Sequence, residues 1–521
     1  MTELLTPRDP ETDRPAPPPT PDRGLTRRRL LGAGLGGAAV LAGAGLGVDR
    51  LLGHRSGNGL PPNGTAQRFV SAPGLHPTIV RYDASRQAAP GLMFVGPDRS
   101  RPVDAGGMIL DGGELVWFHP VPYRHWVTNL QVRTWRGRPV LTWWQGRLDA
   151  GYGVGEAVIA DTSYRELHRV RAANGRTMDL HEFQLTPEGT ALFTCTPQIS
   201  TVDLRHLGGP RRAHALESII QEVDVSSGRL LMEWRSLDHI ALRESYRREF
   251  APFDYLHVNS IDVLPDGDLL ICARNTWAAY KLHRRTGAVV WRLGGKRSDF
   301  AMGRGSQFAW AHDARWLGGG RMTIFDDGFD GRVKSHPFSR GLALDVDLAG
   351  RRVRLVRAYE SPSRLLTSSM GNVQRLPDGH LFVGFGNDPY SFEFAPDGRV
   401  VAELAMPEGQ HSYRAYRLPW RALGAGRPKA AARTRRDGGV RLYASWNGAT
   451  EVARWRVLAG PAGRHGVRGH AIDGSGLRPL AEATRAGFET AIDLGRGSGL
   501  LVAVALDRAG RELARSAPVR V

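Results

Sequence analysis

At 521 residues, with 64 glycines and 41% apolar residues, the chain is too long for one ordinary compact domain and too apolar for a disordered one. Its net charge of +18 does not mark a nucleic-acid binder: residues 421–521 alone carry 18 Lys and Arg against 8 Asp and Glu, and no basic helix or RNA-binding aromatic motif accompanies them. The two cysteines, Cys195 and Cys272, end the apolar runs ALFTC and LLIC and read as buried small residues, with a disulfide as the other reading and no paired metal motif between them.

In chain order, residues 1–25 are rich in proline and charge and are expected to be a disordered tail. Residues 26–48 follow as TRRRLL and an apolar run from Leu30 to Val48. Arg27 and Arg28 ahead of a glycine-diluted run fit a twin-arginine export signal. As a helix the run would span about 28 Å, close to the hydrocarbon thickness of a bilayer, so an uncleaved membrane anchor is the other reading. Either way the rest of the chain is expected outside the cytoplasm, secreted or membrane-anchored. Residues 49–77 read as a linker.

The main body repeats. HEFQLTPEGTALFTC, HVNSIDVLPDGDLLIC, HDARWLGGGRMTIF and GNVQRLPDGHLFVGF share a polar start, an apolar strand, a glycine turn and a second strand, and NLQVRTWRGRPVLTWW is a fainter copy. Between them lie further strand-turn-strand units such as EVDVSSGRLLMEW and KLHRRTGAVVWRLGG. Hairpin pairs recurring in this way predict an all-β fold, a six-bladed β-propeller over residues 78–420. Its blades are expected to begin near residues 90, 127, 179, 257, 312 and 371.

Three of these units begin on histidine, at His181, His257 and His312. Equivalent inner-strand positions of a propeller converge on the central channel, so the three imidazoles are expected in one funnel. In DYLHVNSIDVLPDGDLLICARN, a turn pairing Pro265 with Asp268 would set His257 opposite Thr276, with Arg274 one diagonal away. Asn259 in this hairpin and Asn129 at the start of the fainter copy are candidate substrate-binding residues. Three histidines can hold Zn²⁺ with an open position. No H-E-x-x-H motif is present, and Glu182 beside His181 is expected on the opposite strand face, so no metal is expected. The alternative is anion chemistry, in which guanidinium and imidazolium hold a tetrahedral oxyanion while a neutral imidazole attacks. There is no G-x-S-x-G elbow and no G-x-x-x-x-G-K-[ST] loop.

After a linker at residues 421–437, residues 438–521 alternate as short strands and resemble a fibronectin-like or immunoglobulin-like β-sandwich.

The ordered run APGLMFVGP, MILDGGELVWF, LTWWQG, GYGVGEAVIADTSY, DLHEFQLTPEGTAL, DYLHVNS, VVWRLGGKRSDF, HDARW, GNVQRLPDG and SYRAYRLPW closely resembles the arylsulfotransferase family over about residues 78–420. The resemblance implies transfer of a sulfuryl group from a phenolic sulfate ester to an acceptor phenol through a sulfated histidine, with no nucleotide sulfate donor and no cofactor. It implies His312 as the nucleophile, His257 and Arg274 as donors around the sulfuryl oxygens, and His181 as the acid or base serving the phenol. In the best-understood branch of that family a β-sandwich precedes the propeller, whereas here it follows. The expected partners are therefore a phenolic sulfate donor and a phenol acceptor, with membrane or envelope association and no nucleic acid. No oligomeric state is implied. The competing readings are a non-catalytic propeller binding module of the cell envelope and a metal-dependent hydrolase.

Overall fold

Every residue of the strand Leu269–Ala273 is buried, because its two faces meet two different neighbours. In the computed structural model, which describes residues 60–61, 64–98, 103–461, 476–497 and 499–521, Leu269, Ile271 and Ala273 share a core with Leu192, Ile220 and Trp234. Leu270 and Cys272 face the other way, into a core with Met322, Ile324 and Leu342. The strand period of two thus divides one run, LLICA, between two interfaces. At about 1.5–3 kcal/mol per fully buried large apolar side chain, such interfaces hold neighbouring sheets face to face.

The fold is all-β, with no α-helix among the described residues. Almost wholly antiparallel pairing groups the ring's strands into sheets of four, five and eight strands. Their innermost strands are Tyr416–Leu418, His125–Trp135, Met178–Leu185, Val258–Val263, His312–Gly318 and Asn372–Arg375. Side-chain amides staple one inner strand to the backbone at the start of the next: Asn129 Nδ2 donates to Leu180 O at 2.9 Å, Asn259 Nδ2 to Ala311 O at 2.8 Å and Asn372 Nδ2 to Ala415 O at 2.8 Å. The ring is propeller-like and closes through Tyr416–Leu418, which pairs with Leu92–Phe94 from the other end of the ring.

Two stretches expected as linkers carry structure. Within residues 49–77, Phe69 packs on Phe488 with ring centroids 4.4 Å apart, and the Val70 amide donates to Glu489 at 3.0 Å. Within residues 421–437, Lys429–Thr434 is a strand paired with Val440–Ser445. Its small side chains, Ala430 and Ala432, reach a core made with Leu442, Trp455 and Ala503, which explains why an alanine-rich, arginine-rich stretch reads as a linker yet folds as a strand. The C-terminal strands form two sheets that share this core. They cover the outer strand Glu114–Pro120 of the ring: Asn447 accepts from Phe118 N and donates to Phe118 O, both at 2.9 Å.

The tail and export segment expected over residues 1–48 lie outside the described residues. Among the described residues no helix is long and apolar enough to cross a membrane. Cys195 and Cys272 are buried free thiols.

Candidate active site

The hairpin carrying His257 and Arg274 closes one residue away from its expected register. Gly267, at φ +85°, lets Leu264 rather than Pro265 pair with Asp268, with Leu264 N donating to Asp268 O at 2.8 Å. A bulge between Val258 and Ser260 shifts the ladder once more. His257 therefore lies across from Arg274, whose amide donates to His257 O at 3.0 Å, and not across from Thr276. His257 itself sits at φ +59°, a conformation that costs about 1–3 kcal/mol for a side chain with a Cβ. Corresponding bulges at Thr128/Gln131 and His312/Arg315 place Asn129 and Asp313 at φ +54° and +56°. The left-handed kink recurs where inner strands reach the site.

His181, His257, His312 and Arg274 line one cavity of about 140 Å³, whose other walls include Trp126, Leu148, Met370 and Tyr413. The lining therefore combines a guanidinium and three imidazoles with apolar and aromatic side chains. Each histidine is backed by a carboxylate at Nδ1. Asp179 takes His181, Asp254 takes His257 at 2.7 Å, and Asp327 takes His312 at 2.7 Å. Tyr152, from a neighbouring unit, donates to Asp254 at 2.8 Å and lies 2.8 Å from His257 Nδ1. The Nε2 atoms are left for the cavity: those of His181 and His257 are 3.1 Å apart, and that of His312 accepts the Met370 amide at 3.3 Å.

The electrostatics sort these groups. Burial, then the charge of Arg274 and the neighbouring histidines, hold His312 well below the usual imidazole range. Burial also pushes the Asp327 carboxyl up, against the pull of Arg274. The Met370 amide can only donate, so it requires a lone pair on His312 Nε2. That puts the ring proton on Nδ1, which donates to Asp327. For Asp179 and Asp254 burial pushes upward too, but the histidine each one faces leaves both below the ordinary carboxylate value. Burial lowers His257, and Asp254 opposes that shift.

Arg274 is held by Asn275 Oδ1 at 3.1 Å and Ser368 O at 2.9 Å, with its guanidinium 5.2 Å from the Trp310 ring centroid. Of its five N–H groups, those not used here can serve an anion in the cavity.

Asn129 and Asn259 do not line the cavity. Both amides are spent on the staples between inner strands, and Asn129 Oδ1 accepts from Arg414 at 2.7 Å. The strand starts did converge, but alternate side chains there turn either into the cavity or along the ring. Arg414 had no signal of its own. It is fully buried and joins four units, reaching Asn129, Glu182 at 3.2 Å, Asn259 O at 2.8 Å and Asp313 at 3.2 Å. Glu182 thus faces arginine and not the histidines, and Arg315 and Arg414 hold it down to about 2 despite burial. Asp179 and Asp254 were readable as carboxylates two and three residues before a histidine. Asp327 and Tyr152 come from other strands and were not. The three-ligand group that the described residues bring within reach of one ion is Asp378, His380 and Glu393, outside this cavity.

A buried neutral imidazole, a guanidinium and two further carboxylate-backed imidazoles beside an aromatic wall can attack, hold and protonate around a tetrahedral anion on an aryl group. A family model described as arylsulfotransferase (ASST) matches residues 131–406, over half of the chain. No curated protein sequence matches it. Among solved structures, a protein of unknown function from Bacteroides caccae is 15% identical, covering 63% of this chain and 100% of its own at a TM-score of 0.38. Kuenenia stuttgartiensis hydrazine synthase is 10% identical, covering 71% of this chain and 95% of its own at 0.34. Catalytically inactive virginiamycin B lyase from Staphylococcus aureus, with quinupristin, is 7% identical, covering 63% and 99% at 0.34. Likeness at this level says nothing of substrate or chemistry.

Proposed function

The chain belongs to the arylsulfotransferase family, and from that premise we propose that this sulfotransferase moves a sulfuryl group from a phenolic sulfate ester to an acceptor phenol through a sulfohistidine at His312. The observation that carries the mechanism is the convergence of His312, His257, His181 and Arg274 on one cavity. In the first half-reaction His312 Nε2 attacks sulfur as the bond to the aryl oxygen breaks. Arg274 and the histidines hold the sulfuryl oxygens, and the leaving phenolate takes a proton from a neighbouring imidazole. Asp327 balances the positive charge that develops on the His312 ring. An acceptor phenol then reverses these steps, a ping-pong sequence. The Met370 amide must give way as the nitrogen–sulfur bond forms, since both address the same lone pair. No nucleotide sulfate donor is needed.

In this proposal the catalytic body is a six-bladed propeller followed by a C-terminal sandwich. The chain is exported by the twin-arginine-like segment at residues 26–48, and is secreted or held at the membrane. Purified protein incubated with 4-nitrophenyl sulfate tests the chemistry. Release of nitrophenol should depend on an added phenol, resist chelators and fall to background in His312→Ala. No release with any phenol would reject the transferase reading and leave a binding module. Loss on chelation would point to a metal-dependent hydrolase.

A further inference from the structure

His181 and His257 meet in a way that ordinary neutral imidazoles cannot. Each ring turns Nδ1 toward a carboxylate, His181 toward Asp179 and His257 toward Asp254, so each Nδ1 carries a proton as donor. Tyr152 already donates to the other oxygen of Asp254, so its own oxygen can only accept from His257. Were both rings neutral, each Nε2 would be a bare lone pair. Yet the two Nε2 atoms lie 3.1 Å apart, with the rings edge to face at 86°, a hydrogen-bond distance between two acceptors. The contact is satisfied only if one Nε2 carries a proton toward the other.

We propose that His181 and His257 act as one acid–base unit, a cationic pair that shares a single proton between their Nε2 atoms and serves both half-reactions. The three protons on four nitrogens give the pair one positive charge, which Asp179 and Asp254 on its outer ends balance. This rests on sulfuryl transfer at His312. As the nitrogen–sulfur bond forms and the sulfur–oxygen electron pair passes to the aryl oxygen, the shared proton moves to that oxygen, and the phenol leaves neutral. The pair is then two lone pairs face to face, an arrangement relieved by taking a proton back. The acceptor phenol supplies it: its O–H proton goes to the pair, its oxygen attacks sulfur, and the nitrogen–sulfur electron pair returns to His312 Nε2. The proton count closes over one cycle without exchange with solvent. Asp179, Asp254 and Tyr152 are positioning residues that fix the tautomers from outside.

The direct test does not depend on turnover. In protein labelled with ¹⁵N-histidine at neutral pH, NMR should show a far-downfield proton shared by two Nε2 atoms, absent from both His181→Asn and His257→Asn. Unprotonated Nε2 on both rings of the resting protein would overturn the pair while leaving sulfotransfer at His312 standing. Kinetics give a second measurement. Each single variant should lose about 10²-fold or more with sulfate esters of weakly acidic phenols and far less with 4-nitrophenyl sulfate, whose leaving group needs little protonation. Because one proton is shared, the double variant should be no slower than the worse single one. A loss that is equal for all donors, or that multiplies in the double variant, overturns the shared unit. Loss of activity in His312→Ala, by contrast, bears only on the nucleophile.

Discussion

At the scale of the residue, the site is built from side chains whose second polar atom is already committed. His312 has its Nδ1 on Asp327 and its Nε2 toward the cavity, and its buried surroundings keep it neutral. Asp327→Asn can keep the shape of that hydrogen bond while favouring the wrong tautomer, which leaves a proton on the attacking nitrogen. The expected result is a fall in kcat of about 10²–10⁴-fold with KM little changed, read with 4-nitrophenyl sulfate. The direction of the His312 shift sets a pH expectation as well. A nucleophile held below the ordinary imidazole value of about 6.5 stays unprotonated under mildly acidic conditions. Single-turnover nitrophenol release should therefore keep its His312-dependent acid limb below that value. A limb at or above it would contradict the burial and the charge of Arg274 that hold the ring neutral.

At the scale of the element, the inner strand does two jobs with neighbouring residues. The bulge and left-handed kink at His257 aim one ring into the cavity, and Asn259, two residues on, ties the strand to Ala311 of the next unit. Asn259 thus acts through the ring of strands and not on the substrate. Truncating it to alanine leaves the buried Ala311 carbonyl with only the weak Cys272 thiol donor at 3.3 Å, at a cost of about 1–3 kcal/mol. Asn259→Ala should lower the unfolding free energy measured by denaturant titration by that amount and leave KM for the donor within a few-fold of the parent. A large KM effect without loss of stability would return Asn259 to the substrate.

At the scale of the whole molecule, one buried ionic cluster under the cavity joins units that the chain separates widely. Arg414 follows the last full unit in sequence, yet it contacts the second, third, fourth and fifth. Arg414→Met leaves Glu182 and Asp313 with less countercharge in the interior, and a broken buried pair costs about 3–5 kcal/mol. Calorimetry of the variant should show that loss as a lower melting temperature. Acid should act at the same place. Glu182 is held down to about 2, below its unfolded value of about 4.3, so its contribution is present above that unfolded value. It is lost as pH falls between the two. His312 adds to the loss below about 6.5, because the unfolded chain takes up a proton there that the folded one resists. The C-terminal module completes the body by covering the ring's outer strand through Asn447, an edge that would otherwise present unpaired backbone groups.

The amino-acid sequence by itself determined the repeating hairpins, and with them an all-β body, because alternation and Gly turns act over a few residues. It also marked His181, His257 and His312, since a strand start repeated in three units is visible without coordinates. The family followed from motifs in order along the chain. What only the tertiary structure decided lies one residue or one unit away from those signals. A bulge in the His257 strand and a turn closed by Leu264 changed which residue faces Arg274. The closed ring divided asparagines from histidines, with the first bonded to the neighbouring backbone and the second lining the cavity. Asp327, Tyr152 and Arg414 reach the site across gaps in sequence that carry no periodic mark, and their roles come from distance and burial in the closed ring. The shared contact of His181 and His257 is of this kind, since strand pattern fixes which end of a unit a ring occupies and only packing of adjacent units fixes how far apart two rings stand.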